Sequence, residues 1–381
     1  VVNLAGTTGG AVLDASGTGA LEFTAAAFTA TGAGSKLLTL TGNNTGANRI
    51  ASAIVNNSAT NLTSLTKAGT GSWELNGLST YTGATSIQAG TLTVSSLANL
   101  STASALGAPT SVANGTVALG STTNTGTLVY TGGTTSTNRV INLAGTTGGA
   151  VLDASGTGPL TFTSAFTATG AGSKLLTLTG NNTGANTIAG AIVNNSATNL
   201  TRVAKTGDGT WVLSGANSFT GNLTVSAGTL RLGANGVLPD TAPVILAGGT
   251  LDVSGRTETA GTLTLTAPAT IDFGASAAAI VFAASNGLTW SGATLTISNY
   301  GTGVDSLRFG ANASALTATQ LGKFRFADYG NVSGQIDAFG VVTPVPEPSA
   351  FAALAGLAAL GGALWQRRRR SLTVPQHHQT S

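Results

Sequence analysis

The chain contains a long block of itself twice. VVNLAGTTGGAVLDASGTGALEF, residues 1–23, returns as VINLAGTTGGAVLDASGTGPLTF at residues 140–162, an offset of 139. TGAGSKLLTLTGNNTGAN, residues 31–48, recurs unchanged at 169–186, where the offset has fallen to 138, so one residue has been lost around Ala25 to Ala27. The copies stay in step through IVNNSATNLT, residues 54–63 and 192–201, and end near Val94 and Leu232. A globular core accommodates such a block only as a second domain. A solenoid accommodates it by growing longer, because each coil touches only its neighbours.

Inside each copy the local period is two. In TWVLSGANSFTGNLTVSAGTLRLG, residues 210–233, Trp211 and Leu213, Leu223 and Val225, then Leu230 and Leu232 alternate with polar positions, and Ser-Gly, Thr-Gly and Ala-Gly turns separate them. This pattern predicts short strands with one buried face. No stretch before residue 349 keeps a 3.6-residue period, and the 54 Gly among 381 residues each weaken a helix by about 1 kcal/mol relative to Ala. A sandwich, a closed barrel and a parallel β-helix all use such strands; the duplication and the low charge favour the β-helix. Coils stacked about 4.8 Å apart bring like positions into register, where charges repel but Thr, Ser and Asn form hydrogen-bonded ladders. Only 8% of the residues are charged, against a usual share of about 25%. At about 20 to 30 residues per coil, residues 1–343 would make on the order of 12 to 16 coils.

Composition removes most chemistry. There is no Cys, and both histidines, His377 and His378, lie at the extreme C-terminus, which excludes disulfides, thiol nucleophiles, zinc ribbons and a His-based triad in the body. The formal charge of +3 misleads, because residues 1–343 carry 12 Lys plus Arg against 12 Asp plus Glu. No basic patch is left for a nucleic-acid partner. The acids are scattered, whereas a polysaccharide-degrading site needs them clustered; stacking could gather Asp252 and Asp272 with Arg256. Asp14 and Asp153 are equivalent in the two copies and read as turn residues. Calcium-binding nonapeptides are absent, and no cofactor or metal is expected. GAGSK at 170–174 lacks phosphate-loop spacing and occurs twice, so it reads as a strand turn. The chain has no Met and begins inside a repeat, so its start, with any signal peptide, is expected upstream.

LTKAGTGSWELNGLSTYTGATSIQAGTLTV, residues 65–94, and VAKTGDGTWVLSGANSFTGNLTVSAGTLRLG, residues 203–233, resemble the autotransporter-associated β-strand repeat. The matching positions are Lys67, Gly69, Gly71, Trp73, Leu75, Gly77, Tyr81, Thr82, Gly83, Gly90, Thr91 and Leu92, then Lys205, Gly207, Gly209, Trp211, Leu213, Gly215, Phe219, Thr220, Gly221, Gly228, Thr229 and Leu230. The resemblance implies a right-handed β-helix exported to the cell surface and adds no chemistry. Trp73 and Trp211 are expected in core or corner packing, and Lys67 and Lys205 as solvated corner charges.

After Val342 the composition changes. Pro344, Pro346 and Pro348 lead into an apolar or small run over residues 350–365 and then Arg367, Arg368, Arg369 and Arg370. Such a run is about 24 Å long as a helix, somewhat short for a span. Its flanking arginines and the interfacial Trp365 orient it with the C-terminus in the cytoplasm and lengthen its reach. Together these parts resemble the PEP-CTERM sorting signal of Gram-negative bacteria, with Pro346, Glu347 and Pro348 as its motif. That resemblance implies processing by exosortase, a membrane transpeptidase, after temporary anchoring in the inner membrane.

The expected organisation is therefore an all-β, right-handed parallel β-helix over residues 1–287, with duplicated blocks 1–94 and 140–232. A β region over 288–343 closes it; the sorting signal with a single transmembrane α-helix covers 344–370, and 371–381 form a cytoplasmic tail. The expected role is non-enzymatic: a structural or adhesive cell-surface or matrix protein, associated with biofilm, exopolysaccharide or other surface proteins. A polysaccharide-binding or polysaccharide-degrading β-helix is the alternative. An autotransporter passenger is a second one, and it calls for a C-terminal membrane β-barrel where this chain has a single apolar run.

Overall fold

Alternation becomes burial along the strands. In Gly126–Tyr130, Gly126, Leu128 and Tyr130 are buried while Thr127 and Val129 are half-exposed; in Ala150–Ala154 the same parity buries Ala150, Leu152 and Ala154. A computed structural model describes residues 1–7, 9–24 and 28–345. The lost residue around Ala25 to Ala27 falls outside the described residues. So do Pro346, Glu347, Pro348, the run 350–365, Trp365, Arg367 to Arg370 and the tail 371–381. No helix among the described residues is long and apolar enough to cross a membrane.

Residues Val1–Thr343 pack as one unit built from long parallel sheets of seven, fifteen and nine strands, with a two-stranded sheet at the N-terminal end. This is the arrangement of a β-solenoid. Coil length varies: Ile50 pairs with Leu75 and Leu75 with Val94, 25 and 19 residues on, whereas Val94 pairs with Tyr130, 36 residues on. The long coil carries an excursion over residues 95–116 with one short helix, Val112–Gly115, capped by Ser111.

The route of the chain changes along the stack. Through the middle it visits the seven-, fifteen- and nine-stranded sheets in turn, as in Ile141–Leu143, Ala150–Ala154 and Leu160–Phe162. Between Thr63–Lys67 and Gly90–Val94 it alternates between the seven- and the fifteen-stranded sheets; after Thr201–Lys205 it alternates between the fifteen- and the nine-stranded ones. The duplicated block is therefore displaced by one face. Thr63–Lys67 lies in the seven-stranded sheet and its equivalent Thr201–Lys205 in the fifteen-stranded one, while Ser72–Leu75 lies in the fifteen-stranded sheet and Thr210–Leu213 in the nine-stranded one.

Asparagines bind the corners. Asn48, fully buried, donates to the Asn44 and Ser72 carbonyls at 3.1 and 2.9 Å, and Asn186 repeats this with Asn182 and Thr210 at 3.1 and 2.9 Å. At the C-terminal end parallel stacking stops, because Val341–Pro344 pairs antiparallel with Ser306–Phe309.

Candidate functional site

The repeat motif converges on one corner of each copy. Lys67 is the last residue of Thr63–Lys67, where Thr63, Leu65 and Lys67 all point inward. Lys67 and Lys205 are fully buried, which corrects the expectation of solvated charges. The Lys67 ammonium donates to the carbonyls of Ala68, Gly69 and Ala89 at 2.7, 2.8 and 2.9 Å. Lys205 donates to those of Thr206, Gly207 and Ala227 at 2.7, 2.7 and 3.0 Å. Three charge-assisted bonds satisfy all three N–H donors and offset much of the cost of removing the cation from water. Burial still lowers each ammonium to about 8, with Asp208 opposing the fall at Lys205.

The neighbouring motif residues build this cradle. Gly90 has φ +65°, and a Cβ there would lie 2.4 Å from the Gly71 carbonyl oxygen and 2.8 Å from the Lys67 nitrogen; Gly228, at φ +57°, faces the Gly209 and Gly207 oxygens at 2.4 and 2.5 Å. Only glycine fits there. Gly71, Gly83, Gly209 and Gly221 likewise lie against backbone of the preceding coil. Trp73 and Trp211 are buried, and their indole N–H groups donate to the Thr41 and Thr179 carbonyls at 2.9 and 2.8 Å. The bonds tie each Trp to an earlier coil. The arrangement fixes spacing and register; its lysines are occupied by carbonyls.

A polar patch lies outside the nine-stranded sheet. Asp252 and Asp272 are in register on adjacent strands, with Arg231 in register on the other side of Asp252. Sequence reasoning paired these acids with Arg256, but Arg231 makes the ion pair, Nε to the Asp252 carboxylate at 3.1 Å. The Arg256 Nε has no partner. Asp252 also accepts from the Ser254 N–H and hydroxyl at 3.0 and 2.5 Å, and Asp272 from the Gly274 N–H and the Asn299 amide at 3.0 and 2.7 Å. Both carboxylates thus serve as turn acceptors. Arg231 and Arg256 line an open groove of about 360 Å³ with Thr187, Ser214 and Ser254. No cluster of metal-ligating side chains occurs among the described residues.

Three other positions resolve in the same structural terms. Lys174 of the GAGSK segment donates to the Gly145 and Ala171 carbonyls at 2.5 and 2.9 Å, at a strand turn. Sequence reasoning missed Arg139 and Glu258, both buried. Arg139 fastens the 95–116 excursion by donating to Ala98, Leu106 and Gly107 carbonyls at 3.1, 2.8 and 2.7 Å. Glu258 accepts from the Val237 and Thr259 N–H groups at 2.9 and 3.2 Å, and burial raises its carboxyl to about 7.

Comparison with known proteins points the same way. Residues 65–94 and 203–232 both match the Passenger-associated-transport-repeat. These are the two segments that form the lysine corners. The chain is also 38% identical over 113 residues to the Adhesin BmaC autotransporter of Brucella suis biovar 1 (strain 1330). That match covers 29% of this chain and 3% of the adhesin, so the chain spans a small fraction of the relative's length. No solved structure matches the chain.

Proposed function

We propose that this chain is the body of an exported, non-enzymatic surface or matrix protein of a Gram-negative bacterium, acting as a structural or adhesive rod. The observation that carries this reading is the solenoid itself, whose buried cations and patch carboxylates are spent on backbone and turns. The match to a transport-associated repeat and to part of an adhesin supports export and surface placement. In this reading the coil is right-handed, as parallel β crossovers almost always are, and exopolysaccharide or other surface proteins are its partners.

Delivery would use the C-terminal segment. Pro346, Glu347 and Pro348 form the recognised motif, residues 350–365 anchor the chain transiently in the inner membrane, and Arg367 to Arg370 hold its end in the cytoplasm. An exosortase-type membrane transpeptidase then releases the body. Intact-mass measurement of the mature protein from its native host tests this: loss of the tail near Pro348 is expected, and a C-terminus still at Ser381 contradicts it.

The Arg231, Asp252 and Asp272 patch favours one second reading, a polysaccharide-binding or polysaccharide-degrading solenoid. Incubation of the protein with the host's own exopolysaccharide decides between them. Unchanged polymer length supports the rod. Cleavage abolished by Asp252→Ala or Asp272→Ala supports the enzyme.

A further inference from the structure

The groove beside Arg231 and Arg256 holds more positive charge than the fold uses. Arg231 gives its Nε to the Asp252 carboxylate at 3.1 Å, with 48% of its side chain exposed, and its terminal NH₂ groups bond to nothing among the described residues. Asp252 is held in turn by the Ser254 N–H and hydroxyl, so the Arg231 guanidinium is fixed in place. The Arg256 Nε is buried without a partner: this guanidinium has lost part of its water and gained no acceptor in exchange. The two cations line the groove of about 360 Å³ with Thr187, Ser214 and Ser254, and among the described residues no carboxylate or aromatic ring lines it. The first copy supplies a control. Its groove of about 390 Å³ is lined by Ala47, Glu74 and Thr93, the equivalents of Ala185, Val212 and Arg231, so the same place on the coil there carries an acid and no cation.

We propose that this groove is an anion subsite for a polysaccharide whose sugars carry carboxylate or sulfate groups. The proposal rests on the surface-protein reading above and names the chemistry of its partner. Guanidinium forks match the paired oxygens of such groups, and a guanidinium already fixed, or already partly stripped of water, loses less on binding than a free one. A polymer fits the surroundings. Thr210, Thr229, Thr250, Thr270 and Thr296 stand in register on successive strands of the same sheet, all half-buried, so a row of hydroxyls about 4.8 Å apart follows the stack beside the groove. A peptide partner fits less well, because the groove has no pocket for the aromatic or large apolar anchor on which such interfaces depend.

Titration calorimetry on the full chain at low salt tests the proposal, with oligogalacturonate and a sulfated dextran oligosaccharide as probes and neutral dextran and oligoglutamate as controls. Saturable binding of at least one anionic saccharide is expected, and the probe that binds more tightly tells carboxylate from sulfate. Arg256→Gln, which removes no hydrogen bond or ion pair from the fold, should weaken that binding at least tenfold with the thermal midpoint unchanged. Arg256→Lys should restore part of it, and Glu74→Gln in the first copy should leave it unaltered. Binding of neither anionic saccharide, equal binding of neutral dextran or oligoglutamate, or native affinity in Arg256→Gln would each overturn the site. Any of these with the oligosaccharide length unchanged leaves the rod standing, so the two readings fail separately.

Discussion

The two copies of the duplicated block have almost the same sequence and stand on different faces. Thr63–Lys67 belongs to the seven-stranded sheet and Thr201–Lys205 to the fifteen-stranded one, yet both end in a buried lysine held by three carbonyls. Both are followed by an indole bonded to an earlier coil. The sequence of a coil thus encodes its relation to the coil before it, and the face it occupies follows from how many residues have gone before. This is how a solenoid tolerates a duplication that is not a whole number of coils.

Substitutions can break this comparison. The largest effect is expected at the indoles: Trp73→Ala and Trp211→Ala should each lower local stability by about 3–5 kcal/mol, read by native-state hydrogen exchange. A loss in only one copy would break the equivalence of the two corners. Leu152→Ala should cost about 2–5 kcal/mol as a core truncation, because Leu152 is 1% exposed. Gly90→Ala and Gly228→Ala should each cost about 2 kcal/mol or more, from positive φ and overpacking against carbonyl oxygens. Comparable shifts in thermal midpoint for both are expected.

A pH dependence reads both corners at once. Lys67 and Lys205 fall from 10.5 to about 8 on folding. Below about 8 they are protonated in both states and the full cost of burial is present; above it the unfolded chain holds more protons, so stability rises with pH up to about 10. The slope approaches about 1.4 kcal/mol per pH unit for each lysine. Above about 10 the trend is opposed by Tyr81, raised to about 12 by burial. Urea titrations at pH 7.5 and 9.5 read the rise, and the Lys67→Met, Lys205→Met double variant should lose it. A native chain no more stable at pH 9.5 would show that carbonyl bonding outweighs desolvation.

Much of the fold was legible because inward and outward positions alternate. The same alternation puts Lys67 on the inner face with Thr63 and Leu65, against the ordinary preference of lysine for water. Arg231 was missed as the partner of Asp252 because the pairing depends on a coil of 21 residues, and coils here range widely in length. Arg139 and Glu258 were invisible for a related reason: each satisfies backbone groups of an irregular segment whose path no local pattern encodes. The face shift is the accumulated result of those unequal coils.

The shift is also the feature most directly open to measurement, since the chain has no native Cys. Thr91, Thr127 and Val151 are in register on one sheet, all half-exposed, while Ala118 is on the seven-stranded sheet, in register with Ser86 and Asn142. A short thiol cross-linker should join the Thr127→Cys, Val151→Cys pair as readily as the Thr91→Cys, Thr127→Cys pair, and leave the Ala118→Cys, Val151→Cys pair unlinked. If Val151 links to Ala118 and not to Thr127, the second copy stands on the same face as the first, and the account of the duplication is wrong.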